Sequence, residues 1–282
     1  MLAALISVLT TTGIVLSLLT ETIRFFGEVP LGDYLTGTDW SPLFEPASFG
    51  VLPLVLGTMV ISAIGMLVAI PLGLAAAIYL AEYARPGVRK TIKPILELLA
   101  GVPTIVFGYF ALTFFTPEIL RAIFGDGNVG IFNALSAGII IGFLIVPTIA
   151  SISEDSMSAV PASLREGSFG LGASKLQTTM RVVFPAALSG IVASVVLGFS
   201  RAVGETMVVV IAAGLQPQWG LNIFQSMETM TTFIAATAKG DVSTGTIAYK
   251  TLFAVGTTLF VITLIMNLIS IRFVRKYRQV YE

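Results

Sequence analysis

VLPLVLGTMVISAIGMLVAIPLGLAAAIYL, residues Val51–Leu80, runs for thirty positions without one charged side chain. A helix of roughly 20 apolar residues, rising about 1.5 Å per residue, crosses a bilayer core about 30 Å thick. No period-two alternation runs through the stretch, so a barrel strand is not supported. Its excess length allows tilt or projection beyond the lipid. Pro71 and Gly73 inside it are tolerable, because neighbouring membrane helices can satisfy the carbonyl that a proline frees.

Working outward, five further stretches have the same character: Leu2–Leu19, Ile95–Phe115, Ile131–Ala150, Ala186–Ala213 and Thr251–Ile271. The whole chain agrees: 55% of its 282 residues are hydrophobic and only 11% are charged, against about 25% in a soluble domain. The expectation is an all-α integral membrane protein of six transmembrane helices forming one domain, 1–282. The first helix is 2–19, the core is about 51–272, the long external loops are 20–50 and 214–250, and the one long internal loop is 151–185. The first stretch has no Lys or Arg before Arg24. It therefore lacks the basic region of a signal peptide and is read as a retained helix.

There is no Cys and no His. That removes disulfides, Cys/His zinc sites, Ser–His and Cys–His catalysis and a histidine pH switch. Sixteen bases balance sixteen acids, so net charge offers nothing to nucleic acid. No GxxxxGK[ST] occurs, so the chain carries no P-loop of its own. Gly125-Asp126-Gly127-Asn128-Val129-Gly130 fits GxGxxG, but it joins two spans rather than a strand and a cytosolic helix, and reads as a turn. Glu97, Glu154 and Asp155 are carboxylates near span ends; a cap or a solvated end suits Glu154 and Asp155 better than an intramembrane enzyme.

The bases fix the expected orientation. Arg85, Arg89, Lys90 and Lys93, then Arg165, Lys175 and Arg181, then Arg272, Arg275, Lys276 and Arg278 all fall on one side. Arg24, Arg121, Lys239 and Lys250 share the other side with Glu21, Glu28, Asp33, Asp39, Glu45, Glu118, Asp126, Glu228 and Asp241. Both termini are therefore expected in the cytoplasm. On the outer side, Leu221–Ala238 has apolar residues at helical spacing. It reads either as a helix packed on its own bundle or as an interfacial helix that docks an external partner.

The internal loop has a specific grammar. Ser163-Leu164-Arg165-Glu166 and Ser174-Lys175-Leu176-Gln177 are both capping-box patterns. Gly170 and Gly172 interrupt between them, and Pro185 suits the joint with the fifth span. The expectation is a helix–turn–helix on the cytoplasmic face, with Gly172 placed where a side chain would collide or where φ is positive.

Glu166-Gly167-Ser168, three residues, Gly172, nine residues, then Val182-Val183-Phe184-Pro185 resembles the EAA loop of ABC importer permeases (EAA, three residues, Gly, nine residues, I-x-L-P). Gly167 and Ser168 stand in place of alanines, Val182 of Ile, and Phe184 of Leu. The resemblance implies a type I ABC importer permease fold in which Arg165, Glu166, Gly167, Ser168, Gly172 and Pro185 belong to the short segment that seats in an ATPase subunit. ATP and Mg would be bound by that partner, with no cofactor in this chain.

In the fifth span Gly190, Ser194, Gly198 and Ala202 recur every four residues, a stripe that lets helices approach closely in lipid; Gly138 and Gly142 form a shorter pair. Arg201 and Glu205 lie one helical turn apart beside the stripe. An Arg at bilayer depth costs at least about 2.5–3.5 kcal/mol on insertion scales, so it faces a partner or a cavity. One reading is a structural i,i+4 pair, in the poorer Arg-before-Glu order. The other, which the insertion cost favours, is a fixed cation that meets an anion in transit, with Glu205 holding the guanidinium. A guanidinium fork suits phosphate and sulfate oxygens.

Ser200-Arg201-Ala202-Val203-Gly204-Glu205-Thr206-Met207 is similar to the RAxGETM stretch of permeases in phosphate-specific importers. Gly101-Val102-Pro103-Thr104-Ile105-Val106-Phe107-Gly108, Pro71-Leu72-Gly73, Tyr79–Ala84 and Asp39-Trp40-Ser41-Pro42 fit the same group. Met207 and Trp40-Ser41-Pro42 resemble its PstC-type rather than its PstA-type member. The resemblance implies an inner-membrane subunit of an ATP-driven phosphate importer. Its implied partners are a homologous PstA-type permease, two ATPase subunits, an extracytoplasmic phosphate-binding protein and the lipid bilayer. Ser200, Arg201, Glu205 and Thr206 would line the pathway. Alternatives left open are a permease for sulfate or molybdate, or an ion-coupled secondary carrier.

Overall fold

A computed structural model of the chain describes residues 2–240 and 242–277, with side chains over 3–240 and 242–272. The side chains of Asp241, Arg275, Lys276 and Arg278 therefore lie outside the described residues. Helix α1 (Leu2–Phe26) leads to a short α2 (Leu31–Thr36) and a two-stranded hairpin, β1 (Trp40–Ser41) with β2 (Ser48–Phe49). Next come α3 (Leu52–Tyr83), α4 (Pro86–Ala100), α5 (Thr104–Phe124) and α6 (Ala134–Ser158). Then follow α7 (Ala162–Gly170), α8 (Lys175–Ala186), α9 (Leu188–Gly204), α10 (Met207–Ala212), α11 (Met230–Lys239) and α12 (Ile247–Tyr277).

Helices α1, α3, α5, α6 and α12 are each long and apolar enough to cross a membrane, and the bent pair α8–α9 makes a sixth crossing if taken as one. Their order places the loops before α3, between α5 and α6 and after α10 at one end, which is rich in acids. The loops around α4, α7 and α8 lie at the other, which is rich in bases.

The bundle is built on α3 against α6. Gly65 and Gly73 of α3 meet Gly142 and Ile149 of α6, and Gly138 meets Ile64. A Cβ added at Gly138 would lie 2.6 Å from Ile64, so the two backbones approach as only small residues permit. Asn133 starts α6 by accepting the Ser136 amide at 2.7 Å. Around this pair, Ala111, Phe115, Ile140, Ile145, Val208 and Val209 close the main core. A second core at the acid-rich end gathers Phe25, Tyr34, Trp40, Leu54, Phe233 and Val255. A third, at the base-rich end, gathers Ala77, Met157, Val160, Val183 and Ile191. Helix α1 touches α12 through Thr22, whose hydroxyl meets Thr257 Oγ1 at 2.7 Å, and buries Phe25 in the second core, while most of its other apolar side chains are exposed, as on a lipid-facing helix.

Two expected spans and the expected outer helix need correction. The third begins at Thr104 rather than Ile95, because Gly101-Val102-Pro103 breaks the chain: Pro103 is extended (φ −56°, ψ 130°). Residues 95–100 end the separate amphipathic helix α4, none of whose residues is buried. The fifth is no continuous helix over Ala186–Ala213, but is bent by 71° at Ala187 and broken again after Gly204. The outer Leu221–Ala238 helix shrinks to α11, whose Met230 and Phe233 are buried against α3 and α12, so it packs on its own bundle. Gly125–Gly130 is a turn, with Asn128 Nδ2 donating to the Phe124 carbonyl at 2.7 Å.

Candidate functional site

The break in the fifth span comes from its own residues. Gly204 ends α9, Glu205 turns extended (φ −69°, ψ 129°), and α10 restarts two residues later. The Glu205 carboxylate accepts the amides of Thr206, Met207 and Val208 at 3.2, 3.1 and 3.3 Å. Those are among the orphan donors of a helix start, and a negative charge there also suits the helix dipole. The Thr231 hydroxyl donates to the Glu205 carbonyl at 3.0 Å, so the first turn of α11 holds the break from the other side.

Arg201 is therefore not held by Glu205. Its half-buried guanidinium donates from Nη1 to Thr148 Oγ1 of α6 at 3.1 Å, and among the described residues it forms no ion pair. The i,i+4 pair drawn from the sequence assumed an unbroken helix; once Glu205 caps α10, its carboxylate is committed elsewhere. Thr206 is half-buried, with its hydroxyl donating to the Gly204 carbonyl at 3.3 Å. Ser200 does not share the surroundings of Arg201. It lines a groove between α9 and α12 with Leu197, Asn267 and Ser270.

The small-residue stripe faces α6. Ser194 shares a 2.8 Å hydrogen bond with Ser153, Gly198 packs on Ile145 and Ile149, and Ala202 is buried. A Cβ at Gly190 would stand 2.0 Å from Ser156 Oγ. One face of α9 is thus locked to α6, while Arg201 lies at the edge of that contact.

At the base-rich end, α7 and α8 form a foot. The capping box at Ser174 is present, with Ser174 and Gln177 exchanging hydrogen bonds at 3.3 and 2.8 Å. The one drawn at Ser163 is absent: α7 starts at Ala162 after Pro161, so Ser163 already lies within it. Gly172 turns the chain with φ +83°, and a Cβ there would meet nothing within 4 Å; the glycine answers a backbone need, not a collision within this chain. Ser168 and Thr178 tie the two helices through a 2.9 Å hydrogen bond.

Arg165 points inward. It donates to Glu82 Oε1 at 3.0 Å and to the Met157 carbonyl at 2.7 Å, bracing α7 on α3 and α6. Glu166, Gly167 and Gly172 are exposed, beside exposed Phe169, Leu176 and Met180 and a Leu171 that is 92% accessible. Pro185 lies inside α8, and the elbow to α9 comes at Ala187, so the foot meets the span at 71° rather than in a straight line.

Sequence reasoning missed Thr148, Thr231 and Glu82, because a lone Thr or a terminal Glu carries no local signal of a long-range contact. It also missed the cluster on Glu154, which is 0% exposed and pairs with Arg89 and with Lys93, the latter at 2.7 Å. Burial works to lower the Lys93 pKa, but Asp155 and Glu154 outweigh it and raise the value above the ordinary one. Among the described residues no cluster of metal-ligating side chains occurs.

The sequence profile of the family described as "Binding-protein-dependent transport system inner membrane component" matches residues 69–279. The chain is 36% identical to the "Probable ABC transporter permease protein YqgH" of Bacillus subtilis, over 88% of this chain and 79% of that one. It is 34% identical to the "Phosphate transport system permease protein PstC" of Mesorhizobium japonicum, over 84% and 76% of the two chains. Against the protein of the same description from Haemophilus influenzae it is 32% identical, over 92% and 84%. Among solved structures it resembles a bacterial ABC transporter importing alginate (TM-score 0.62, 14% identity, 98% of this chain and 100% of that one). It also resembles the inward-facing MetNI methionine ABC transporter (TM-score 0.59, 19% identity, 82% and 95%). At those identities the likeness shows a shared fold, that of type I ABC importer permeases. With the profile covering most of its length, this chain belongs to the family of binding-protein-dependent transport system inner membrane components.

Proposed function

We propose that this chain is the PstC-type permease of an ATP-driven importer of inorganic phosphate. The observation that carries the reading is Arg201: a guanidinium in a membrane-crossing helix, half-buried, hydrogen-bonded to Thr148 and without an ion pair among the described residues. Such a charge is costly in lipid and is suited to an oxyanion. The PstC descriptions of the relatives support phosphate as that oxyanion; no observation favours sulfate, molybdate or an ion-coupled carrier.

The base-rich end faces the cytoplasm, and with it both termini. A PstA-type permease completes the pathway beside Arg201. Two ATPase subunits, which bind ATP and Mg, seat on the feet around Glu166–Gly172. A phosphate-binding protein delivers substrate at the acid-rich end. Arg201 lowers the electrostatic barrier for the anion; the Glu205 carboxylate, hydrogen-bonded by the amides of α10, does not compete for the guanidinium.

The test is reconstitution of the complex in vesicles with its binding protein and internal ATP. Phosphate uptake that sulfate and molybdate do not inhibit is expected. Uptake of another oxyanion in preference, or uptake without ATP, overturns the reading.

A further inference from the structure

A cavity lies at the acid-rich end, and Arg201 is not among the residues that line it. Its walls come from β1 and the loop after it, the chain entering α11, and α11 itself; Trp40, Leu43, Phe44, Leu215, Glu228 and Phe233 line it. Leu43, Phe44 and Leu215 are exposed at the rim. Trp40 and Phe233 are both 3% exposed, with their rings edge to face at 4.9 Å. Glu228 is 6% exposed.

Among the described residues, two polar side chains of this apolar socket have no hydrogen-bond partner. The indole N–H of Trp40 is fully buried and donates to nothing among the described residues. The Glu228 carboxyl is shifted by burial alone, which raises its pKa to about 8. Leaving such groups unpaired in an apolar setting is costly. The chain does not relieve the strain by moving Glu228 outward, because its backbone is fixed. Its amide donates to the Gln216 carbonyl at 3.1 Å, the Met230 amide reaches Thr58 Oγ1 at 3.1 Å, and the Glu228 carbonyl lies where a Cβ on Gly57 would stand, 2.2 Å away.

We propose that this cavity is a socket for one basic side chain, arginine or lysine, presented by the binding protein when it docks. The proposal rests on the orientation given above, which puts this end outside. Charge complementarity selects the occupant. Glu228 is the only charged residue lining the cavity among those described; Asp241 lies outside them. The flanking loops carry Asp39 and Glu45, while Lys239 closes α11 and the nearby Lys250 is already paired with Glu28. The apolar rim excludes water from the ion pair, as hot-spot surroundings do. Docking then requires Glu228 to release its proton, so affinity rises with pH towards 8.

The test measures binding of the phosphate-loaded binding protein to the whole complex in lipid nanodiscs from pH 6.5 to 8.5. Glu228→Gln is expected to weaken affinity about tenfold at pH 8 and to remove the rise with pH. Glu45→Gln, an exposed acid on the loop between β1 and β2 and outside the cavity, is expected to stay within twofold. Unchanged affinity in Glu228→Gln overturns the proposal and leaves the cavity to lipid or a neighbouring permease. Equal loss in Glu45→Gln also overturns it, in favour of diffuse charge attraction. Failure of the phosphate reading would instead show as wild-type complex that binds its partner normally but imports no phosphate.

Discussion

Arg201 donates to Thr148 across 3.1 Å, from α9 to α6, while Glu205, one turn further along the sequence, turns its carboxylate into the amides of α10. The two ionised groups were read from the sequence as a pair and are in fact employed separately. The arginine is positioned by a neutral hydroxyl, which orients it without cancelling its charge.

Replacing Arg201 with Gln removes the charge and keeps a donor for Thr148. Phosphate uptake should fall at least a hundredfold, while the assembled complex is recovered in normal yield. Thr148→Val leaves the charge but frees its orientation, so a KM for transport raised about three- to tenfold with intact assembly is expected. Substrate-concentration series on vesicles separate the two. Normal uptake in Arg201→Gln would remove the guanidinium from the pathway.

Because Glu205 acts as a cap, its neutral isostere should behave mildly. Glu205→Gln retains a carbonyl acceptor for the α10 amides and loses only the charge–dipole part, about 0.3–1 kcal/mol. Glu205→Ala deprives three amides of their acceptor and should lower thermal stability several degrees more. Thr231→Val, which removes the hydroxyl under the Glu205 carbonyl, should fall between them. If Gln is as damaging as Ala, the carboxylate has a role in charge that this geometry does not describe.

At the foot, Gly172 has φ +83° and open space around a would-be Cβ. Strain in that region costs an ordinary L-residue roughly 1–2 kcal/mol, and Asn visits it more readily than others. Coupling of ATP hydrolysis to uptake should therefore rank Gly, then Asn, then Ala, then Val. A docking cleft tight enough to reject any side chain would instead make Asn and Ala fail alike. The ratio of phosphate moved to ATP hydrolysed distinguishes the two.

Glu154 and Asp155 sit side by side at the end of α6 but differ in burial, at 0% and 62% side-chain exposure. Glu154→Gln removes the negative charge that Arg89 and Lys93 share and leaves them one amide oxygen as acceptor, which loosens α4 from α6. Since both bases reach water, the loss should be nearer 1–2 kcal/mol than the 3–5 typical of breaking a fully buried pair. Asp155→Asn should stay within about 0.5 kcal/mol, as exposed pairs do. Denaturation of the detergent-solubilised chain with each variant checks the ordering.

These contacts also mark where the sequence is readable. Apolar length placed the spans, and the Ser174 box and Gly172 placed the turn of the foot, because each is a local rule that the fold does not override. The breaks at Gly101–Pro103 and after Gly204 were hidden, since membrane helices tolerate Gly and Pro and the flanks stay apolar on both sides. The acid of Gly204-Glu205-Thr206 is a helix-start signal in water, but inside a long apolar run it reads as an intruder needing a cation. Thr148 and Thr231 are legible only once α6 and α11 are in place, for their partners lie 53 and 26 positions away.

Glu228 makes stability depend on pH in a direction opposite to that of most acids. Burial raises its pKa from 4.5 to about 8, so between those values the folded chain keeps a proton that the unfolded chain has lost. Stability therefore falls as pH rises through that window and levels off above it. Each unit of displacement is worth about 1.4 kcal/mol, so the total reaches a few kcal/mol. Glu228→Gln removes the term: its melting temperature should match wild type near pH 5 and exceed it by a margin that widens to pH 8 and then holds. Thermal unfolding of both proteins at pH 5, 6.5, 8 and 9 reads this directly. A constant gap, or one that closes with rising pH, would mean that the carboxyl is solvated or already paired in the folded chain. A basic side chain seated in the socket lowers the Glu228 pKa again, so the same margin should shrink when saturating binding protein is present.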